Sequence, residues 1–232
     1  MAANQKIGLD REKAYQEIRD LVLRGALDPN EISERKLSQR LGIGRTPIRE
    51  ALRLLTAEGL LHVVPMQGTF VQTMSFEDLR EIYEMRIALE GTAAFFAAAR
   101  GVTPSMAECA KELRLLQAQE IQDYDHSQQL GWRFHDELFI ACGNSRLTAA
   151  YGTLRAQSGL ALQKLRSYGV RRYSESIQEH LSIFEAVEKG NPSLAKDAML
   201  AHLSNAFHAR VQVLGLPLMP PTEPSKLVAD LS

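Results

Sequence analysis

The sequence of 232 residues holds only two cysteines, Cys109 and Cys142, and a single tryptophan, and its aromatic content is 6%. Two cysteines far apart, in no paired motif, exclude a disulfide scaffold and read as reduced thiols of a cytoplasmic protein. Few aromatics beside abundant Ala and Leu argue against an all-β sandwich and favour helix packed on helix. No stretch approaches the roughly 18 uninterrupted apolar residues that a membrane span requires. The opening run MAANQKIGLDREK has no apolar core, so no signal peptide is expected. What is present is ordinary: 45% hydrophobic and 24% charged residues exclude a disordered or collagen-like chain.

The formal net charge of −1 conceals an uneven distribution. Residues 1–75 carry 11 Lys/Arg against 9 Asp/Glu, and the remainder carries 16 against 19. Between Ser33 and Thr56 the contrast sharpens to six basic residues, Arg35, Lys36, Arg40, Arg45, Arg49 and Arg53, against Glu34 and Glu50. A basic cluster in a neutral chain points to a polyanion addressed by one segment.

Hydrophobic spacing gives this segment three helices and a hairpin. Tyr15, Ile18, Leu21 and Val22 recur at helical spacing up to Gly25, before the turn Asp28-Pro29-Asn30. Ser33 is the expected N-cap of a second helix burying Leu37 and Leu41, and Gly42-Ile43-Gly44 is a tight turn. Thr46 is the expected N-cap of a third helix, with Pro47 at its first position and Ile48, Ala51, Leu52 and Leu55 as its apolar face. Two β-branched runs around Pro65-Met66-Gln67-Gly68 predict a hairpin. From Phe76 on, helices are expected near 76–100, 105–122, 124–142, 145–168, 173–189 and 193–213, joined by short loops as in a bundle. The chain is therefore expected to be mainly α: a winged helix-turn-helix over 1–75, an all-helical domain over 76–214, and a proline-rich tail over 215–232.

On the third helix Arg45, Arg49 and Arg53 form one stripe opposite the apolar face. Cations in a first helical turn oppose the helix dipole by roughly 0.3–1 kcal/mol. An anionic partner reverses the sign of that cost, and Arg reads guanine with two donors in the major groove. The run Ser33-Glu34-Arg35-Lys36-Leu37-Ser38, then Gly44-Arg45-Thr46-Pro47-Ile48-Arg49-Glu50-Ala51-Leu52, then Pro65-Met66-Gln67-Gly68-Thr69-Phe70-Val71, resembles the GntR family of bacterial transcriptional regulators. The resemblance implies base contacts from Arg35, Arg45 and Arg49, backbone contacts from Thr46 and Arg53, and a wing tip freed by Gly68 to enter the minor groove. It also implies a homodimer on a short palindromic operator of double-stranded DNA. The wing has no Lys or Arg, so its polar contacts fall to Gln67 and Thr69.

Among the histidines, His135, His180 and His202 each lie on or beside the apolar stripe of a different expected helix, which points them to one bundle interior. Such convergence is how bundles build metal sites, and imidazole is a common ligand for zinc, nickel or copper. The run Tyr83-Glu84-Met85-Arg86-Ile87-Ala88-Leu89-Glu90, with Phe134-His135-Asp136-Glu137-Leu138, Gly143-Asn144, Glu179-His180 and His202, resembles the FCD-type helical effector domain of the FadR branch. That resemblance implies a divalent metal, zinc for preference, held by the three histidines plus an aspartate one turn before the first. Gly131 occupies the aspartate position. Two readings stand for Arg86: an i, i+4 pair with Glu90, or recognition of an effector carboxylate. The resemblance favours the second, with a small organic acid as effector; Trp132, Arg155 and Asn205 are further candidates to line the pocket. The competing reading is a metal-dependent hydrolase using the three histidines, although no nucleophile or general-base motif accompanies them.

Overall fold

The computed structural model describes residues 2–27, 32–73, 75–118, 124–161 and 170–213. Its elements run α1 (Ala2–Leu23), α2 (Glu34–Leu41), α3 (Arg45–Ala57), β1 (Leu61–Val64), β2 (Gly68–Val71), α4 (Phe76–Arg100), α5 (Pro104–Gln117), α6 (Tyr124–Cys142), α7 (Ser145–Ala161), α8 (Val170–Glu188) and α9 (Pro192–Val213). This is the expected mainly α architecture of winged helix-turn-helix followed by helical bundle. The turn expected at 28–30, the ends of the helices expected over 105–122 and 145–168, Met74 at the expected boundary and the tail from 215 lie outside the described residues. Within those residues no helix is long and apolar enough to cross a membrane.

Two compact units are present, one of Met1–Ser75 with Arg155–Gln163 and one of Phe76–Leu154 with Lys164–Ser232. In the first, Ser33 caps α2 by accepting the Lys36 N–H at 3.3 Å. Gly42 ends α2 at φ +66°, a left-handed conformation that glycine adopts without steric cost. α3 begins at Arg45 with Gly44 as its N-cap, two residues earlier than the spacing implied, and Thr46 is not the cap. The first three N–H groups of a helix lack intrahelical partners, so Pro47 loses no bond at the third position. Ile48, Ala51, Leu52 and Leu55 are buried against Ala14, Ile18, Val22 and Leu37. The strands pair antiparallel, with Leu61 opposite Val71 and Val64 opposite Gly68.

Arg155–Gln163, read on sequence as part of the helical domain, groups with this first unit. Ala156 joins its core, and Gln157 Nε2 donates to the Glu58 carbonyl at 3.2 Å.

In the second unit α4 packs along α9 and α6, and α8 and α5 close the bundle. At Gly91 an added Cβ would sit 3.3 Å from Leu200, so glycine lets α4 and α9 approach closely. Leu79, Ile82, Tyr83, Ala93, Ala94, Ala97 and Ala98 form the buried side of α4. Two charged residues, Arg86 and Glu90, lie on that same buried side.

Candidate functional site

In the first unit Arg35, Arg45, Thr46, Arg49 and Arg53 are all exposed, and so are Gln67 and Gly68 at the hairpin tip. The tip turn holds Met66 at φ +66° and Gly68 at φ +124°, the latter a conformation open mainly to glycine. The apolar face of α3 is turned into the core, which leaves the arginine stripe outward. Arg49 is engaged: its Nε and NH2 donate to Glu34 Oε1 and Oε2 at 2.6 and 2.8 Å. The hydrogen bond from Arg49 holds the Glu34 carboxyl below its usual range, with Arg45 and Arg53 adding to it through space. Sequence reasoning missed this partner, because 15 positions and a helix change separate the two residues.

In the second unit the structure brings together the three histidines read from the sequence. His135 from α6, His180 from α8 and His202 from α9 are buried, and each offers a ligand nitrogen within 4.8 Å of the others. The Nε2 atoms of His180 and His135 are 3.2 Å apart. Behind two of the rings stand carboxylates. Glu90 Oε2 approaches His135 Nδ1 at 2.6 Å, off the line of an aligned hydrogen bond. Glu179 Oε2 meets His202 Nδ1 at 2.7 Å and is itself fixed by Arg172 and by Asn205 Nδ2. His180 Nδ1 is buried without a partner.

Burial opposes charge on these rings. It lowers His202 to about 4, reinforced by His135 and Arg86 against the pull of Glu179. Burial and the neighbouring histidines also push His180 well below its ordinary range. Both rings are therefore neutral near pH 7, with the lone pairs that a metal requires. Burial would raise Glu90, but Arg86 and His135 outweigh it and keep the carboxylate ionised. Glu179 is likewise drawn down to about 2, burial being outweighed by His202 and Arg172. Three buried ring nitrogens backed by two carboxylates are the donor set of a histidine metal centre with its outer shell. Gly131 adds no inner carboxylate, and a Cβ there would lie 3.1 Å from His180 Cε1.

Both readings of Arg86 find support in its surroundings. Its Nε donates to Glu90 Oε1 at 2.6 Å, inside the bundle rather than on a solvated face. Its guanidinium stands 5.0 Å from the Tyr83 ring and 5.6 Å from Trp132, while NH1 has no partner. Asn205 shares Glu179 with His202. Arg155 groups with the other compact unit.

Residues 10–71 match the bacterial regulatory proteins of the gntR family, and residues 81–205 match the FCD domain. The chain is 28% identical over 195 residues to YdhC of Bacillus subtilis, an HTH-type transcriptional regulator, covering 82% of this chain and 86% of that one. It is 26% identical over 198 residues to the HTH-type transcriptional repressor GlaR of Escherichia coli, covering 82% and 90%. Its fold resembles that of E. coli McbR/YncC, with a TM-score of 0.75 at 20% identity over 88% of this chain and 97% of that one. These relatives are regulators rather than enzymes, and nothing in them supports the hydrolase reading. An arginine-faced helix-turn-helix with a hairpin wing, followed by a helical bundle with a histidine cluster, thus matches known proteins along most of its length: the chain belongs to the GntR family of bacterial transcriptional regulators, DNA-binding proteins, and carries an FCD domain.

Proposed function

We propose that this protein is a cytoplasmic repressor whose hold on its operator is set by a small carboxylate metabolite. Residues 1–75 form the DNA-reading head, and residues 76–214 bind the effector and pair two copies of the chain. The observation that carries the reading is the exposed Arg45, Arg49 and Arg53 stripe on α3, the helix that precedes the hairpin in the chain. In this scheme Arg35, Arg45 and Arg49 read bases, Thr46 and Arg53 grip the backbone, and Gln67 and Gly68 bring the wing tip to the minor groove. Two-fold pairing of heads fits a palindromic site. Repression is supported by the relative named as a repressor.

In the helical domain His135, His180 and His202 would hold a divalent metal, zinc by their donor set. When bound, it supplies a fixed positive charge with an open position toward a carboxylate. Glu90 and Glu179 orient the first and third rings, and Asn205 steadies Glu179. The unpartnered NH1 of Arg86 supplies a second donor for the effector carboxylate. Such a ligand changes DNA affinity only by its difference in affinity for two arrangements of the protein, typically about 1–3 kcal/mol.

The test is retardation of a fragment from the protein's own promoter, with and without a panel of small carboxylic acids. Wild type retards the fragment, and Arg49→Ala loses about 1–3 kcal/mol of binding and relaxes specificity at one base pair. Failure of the wild type to retard it at low ionic strength, under every ligand condition, rejects the proposal.

A further inference from the structure

A buried cation lies apart from the three histidines. Arg210, in the last turn of α9, is 5% exposed, and neither its Nε nor its NH1 has a hydrogen-bond partner. Among the described residues no carboxylate pairs with it, and its guanidinium stands over the Tyr83 ring, 5.0 Å from the centroid. Tyr83 is itself 2% exposed and its hydroxyl has no partner. The Arg86 guanidinium lies at the same 5.0 Å from that ring, with NH1 also unpartnered. One phenol ring is thus flanked by two buried guanidinium groups, at most about 10 Å apart by those two distances. Glu90 answers the charge of Arg86, and among the described residues no carboxylate answers that of Arg210.

The physics of this arrangement is unfavourable as it stands. A buried charge without a counter-ion, and buried N–H groups without acceptors, oppose folding. The ring face and the carbonyls of a helix C-terminus attract a cation, but they leave both Arg210 donors unmade. A bound group would have to be anionic and to accept several hydrogen bonds at once. The fork of a guanidinium fits two oxygens of one carboxylate or phosphate, and a neutral phenol adds an O–H donor.

We propose that Arg210, the Tyr83 hydroxyl and Arg86 NH1 form an oxyanion site between α4 and α9, taking a carboxylate or phosphate group. Arg86 NH1 is the donor it shares with the effector reading above. The site requires neither a metal nor DNA. A ligand with two anionic groups could engage this site and the histidines together, but the site itself needs only one.

Thermal unfolding of the full chain, stripped of metal by prior dialysis and held at constant ionic strength with sodium chloride, tests this. Succinate and inorganic phosphate are the probes, and the larger response identifies the preferred oxyanion. In wild type and in His180→Ala, at least one probe raises Tm by several degrees above chloride. In Arg210→Met neither does, and its Tm in chloride alone equals or exceeds that of wild type, because an uncompensated charge has gone. Tyr83→Phe keeps the fold and weakens probe binding several-fold by calorimetry. The site is rejected if neither probe raises the wild-type Tm, if Arg210→Met retains the rise, or if Arg210→Met melts well below wild type in chloride. Loss of metal binding in His180→Ala with the Tm response intact separates this site from the histidine reading.

Discussion

Glu34 of α2 and Arg49 of α3 meet in a two-pronged ion pair, Nε to Oε1 at 2.6 Å and NH2 to Oε2 at 2.8 Å. Both side chains are largely solvated, at 36% and 54% exposure, so the pair contributes little to folding. Its effect is to fix the direction of the guanidinium on the proposed DNA-reading face while placing a negative charge there. Glu34→Gln is therefore expected to have opposite effects on two quantities. Binding to scrambled duplex tightens several-fold, since a repulsion with phosphate is removed and one more cation is available to it. The ratio of operator to scrambled affinity falls, since Arg49 is no longer held. Titrations of both duplexes over a range of salt check this; an unchanged ratio would show that the ion pair does not orient a base-reading residue.

Gly131 leaves the histidine trio without an inner carboxylate, yet its position faces His180, whose Cε1 lies 3.1 Å from where a Cβ would stand. That neighbour is a side-chain ring, and it can yield by a few tenths of an ångström. Gly131→Asp is expected to raise zinc affinity about tenfold or more, adding a negative ligand to three neutral ones. Gly131→Ala gives the crowding without the carboxylate and should not tighten zinc. Competition against a chromophoric chelator measures both. Equal affinities in the two variants would mean that the metal, if bound, sits away from this face of His180.

Glu90 serves two partners inside the bundle, Arg86 Nε at 2.6 Å and His135 Nδ1 at 2.6 Å. Replacing it by glutamine leaves a buried guanidinium with no counter-charge, a change expected to cost about 3–5 kcal/mol. Replacing Arg86 and Glu90 together by methionine removes both charges and should recover most of that loss. Urea unfolding of the single and double variants decides this, and a Glu90→Gln protein as stable as wild type would contradict the buried pairing. In the same variant zinc affinity is expected to fall about 10–100-fold, as outer-shell losses do.

The features legible in the sequence were those written in a helical period. Ile48, Ala51, Leu52 and Leu55 defined one face of α3, so Arg45, Arg49 and Arg53 had to occupy the other, and the structure has both faces where the spacing put them. His135, His180 and His202 were found the same way, because each rides on the buried stripe of its own helix. Tertiary pairings carry no such period. Glu34 reads as an ordinary first-turn acid, and Arg210 as a cation suited to a helix C-terminus; only packing shows that one is paired and the other is buried alone. That Arg155 and Ala156, inside the span matching the FCD domain, group with the first compact unit was not legible, because α7 spreads small and apolar residues over all its sides and its partner cannot be read from a face. The N-cap of α3 was misplaced because proline fits any of the first three helical positions equally well.

Tyr15 of α1 ties the first helix to the end of α3 by donating its hydroxyl to both carboxylate oxygens of Glu58 at 2.9 Å. Burial, with help from the Glu58 carboxylate, pushes the phenol up to about 12 from its ordinary 10.0. In the unfolded chain this phenol loses its proton near pH 10, whereas in the fold it keeps it. The unfolded state therefore binds fewer protons between those two values, and the contribution of the tether, complete below pH 10, is lost as pH rises through 12. The side chain is partly solvated, so the loss is modest. Urea midpoints recorded at pH 9 and pH 11.5 should show a fall in wild type that is smaller in Tyr15→Phe, which has no proton to release. Absorbance of tyrosinate in the folded protein should show one phenol ionising near pH 12 in wild type that is missing from the Tyr15→Phe variant. Identical pH dependence in the two proteins would mean that Glu58 does not hold this hydroxyl, and that α1 is fastened to α3 by the Ile18 and Val22 packing alone.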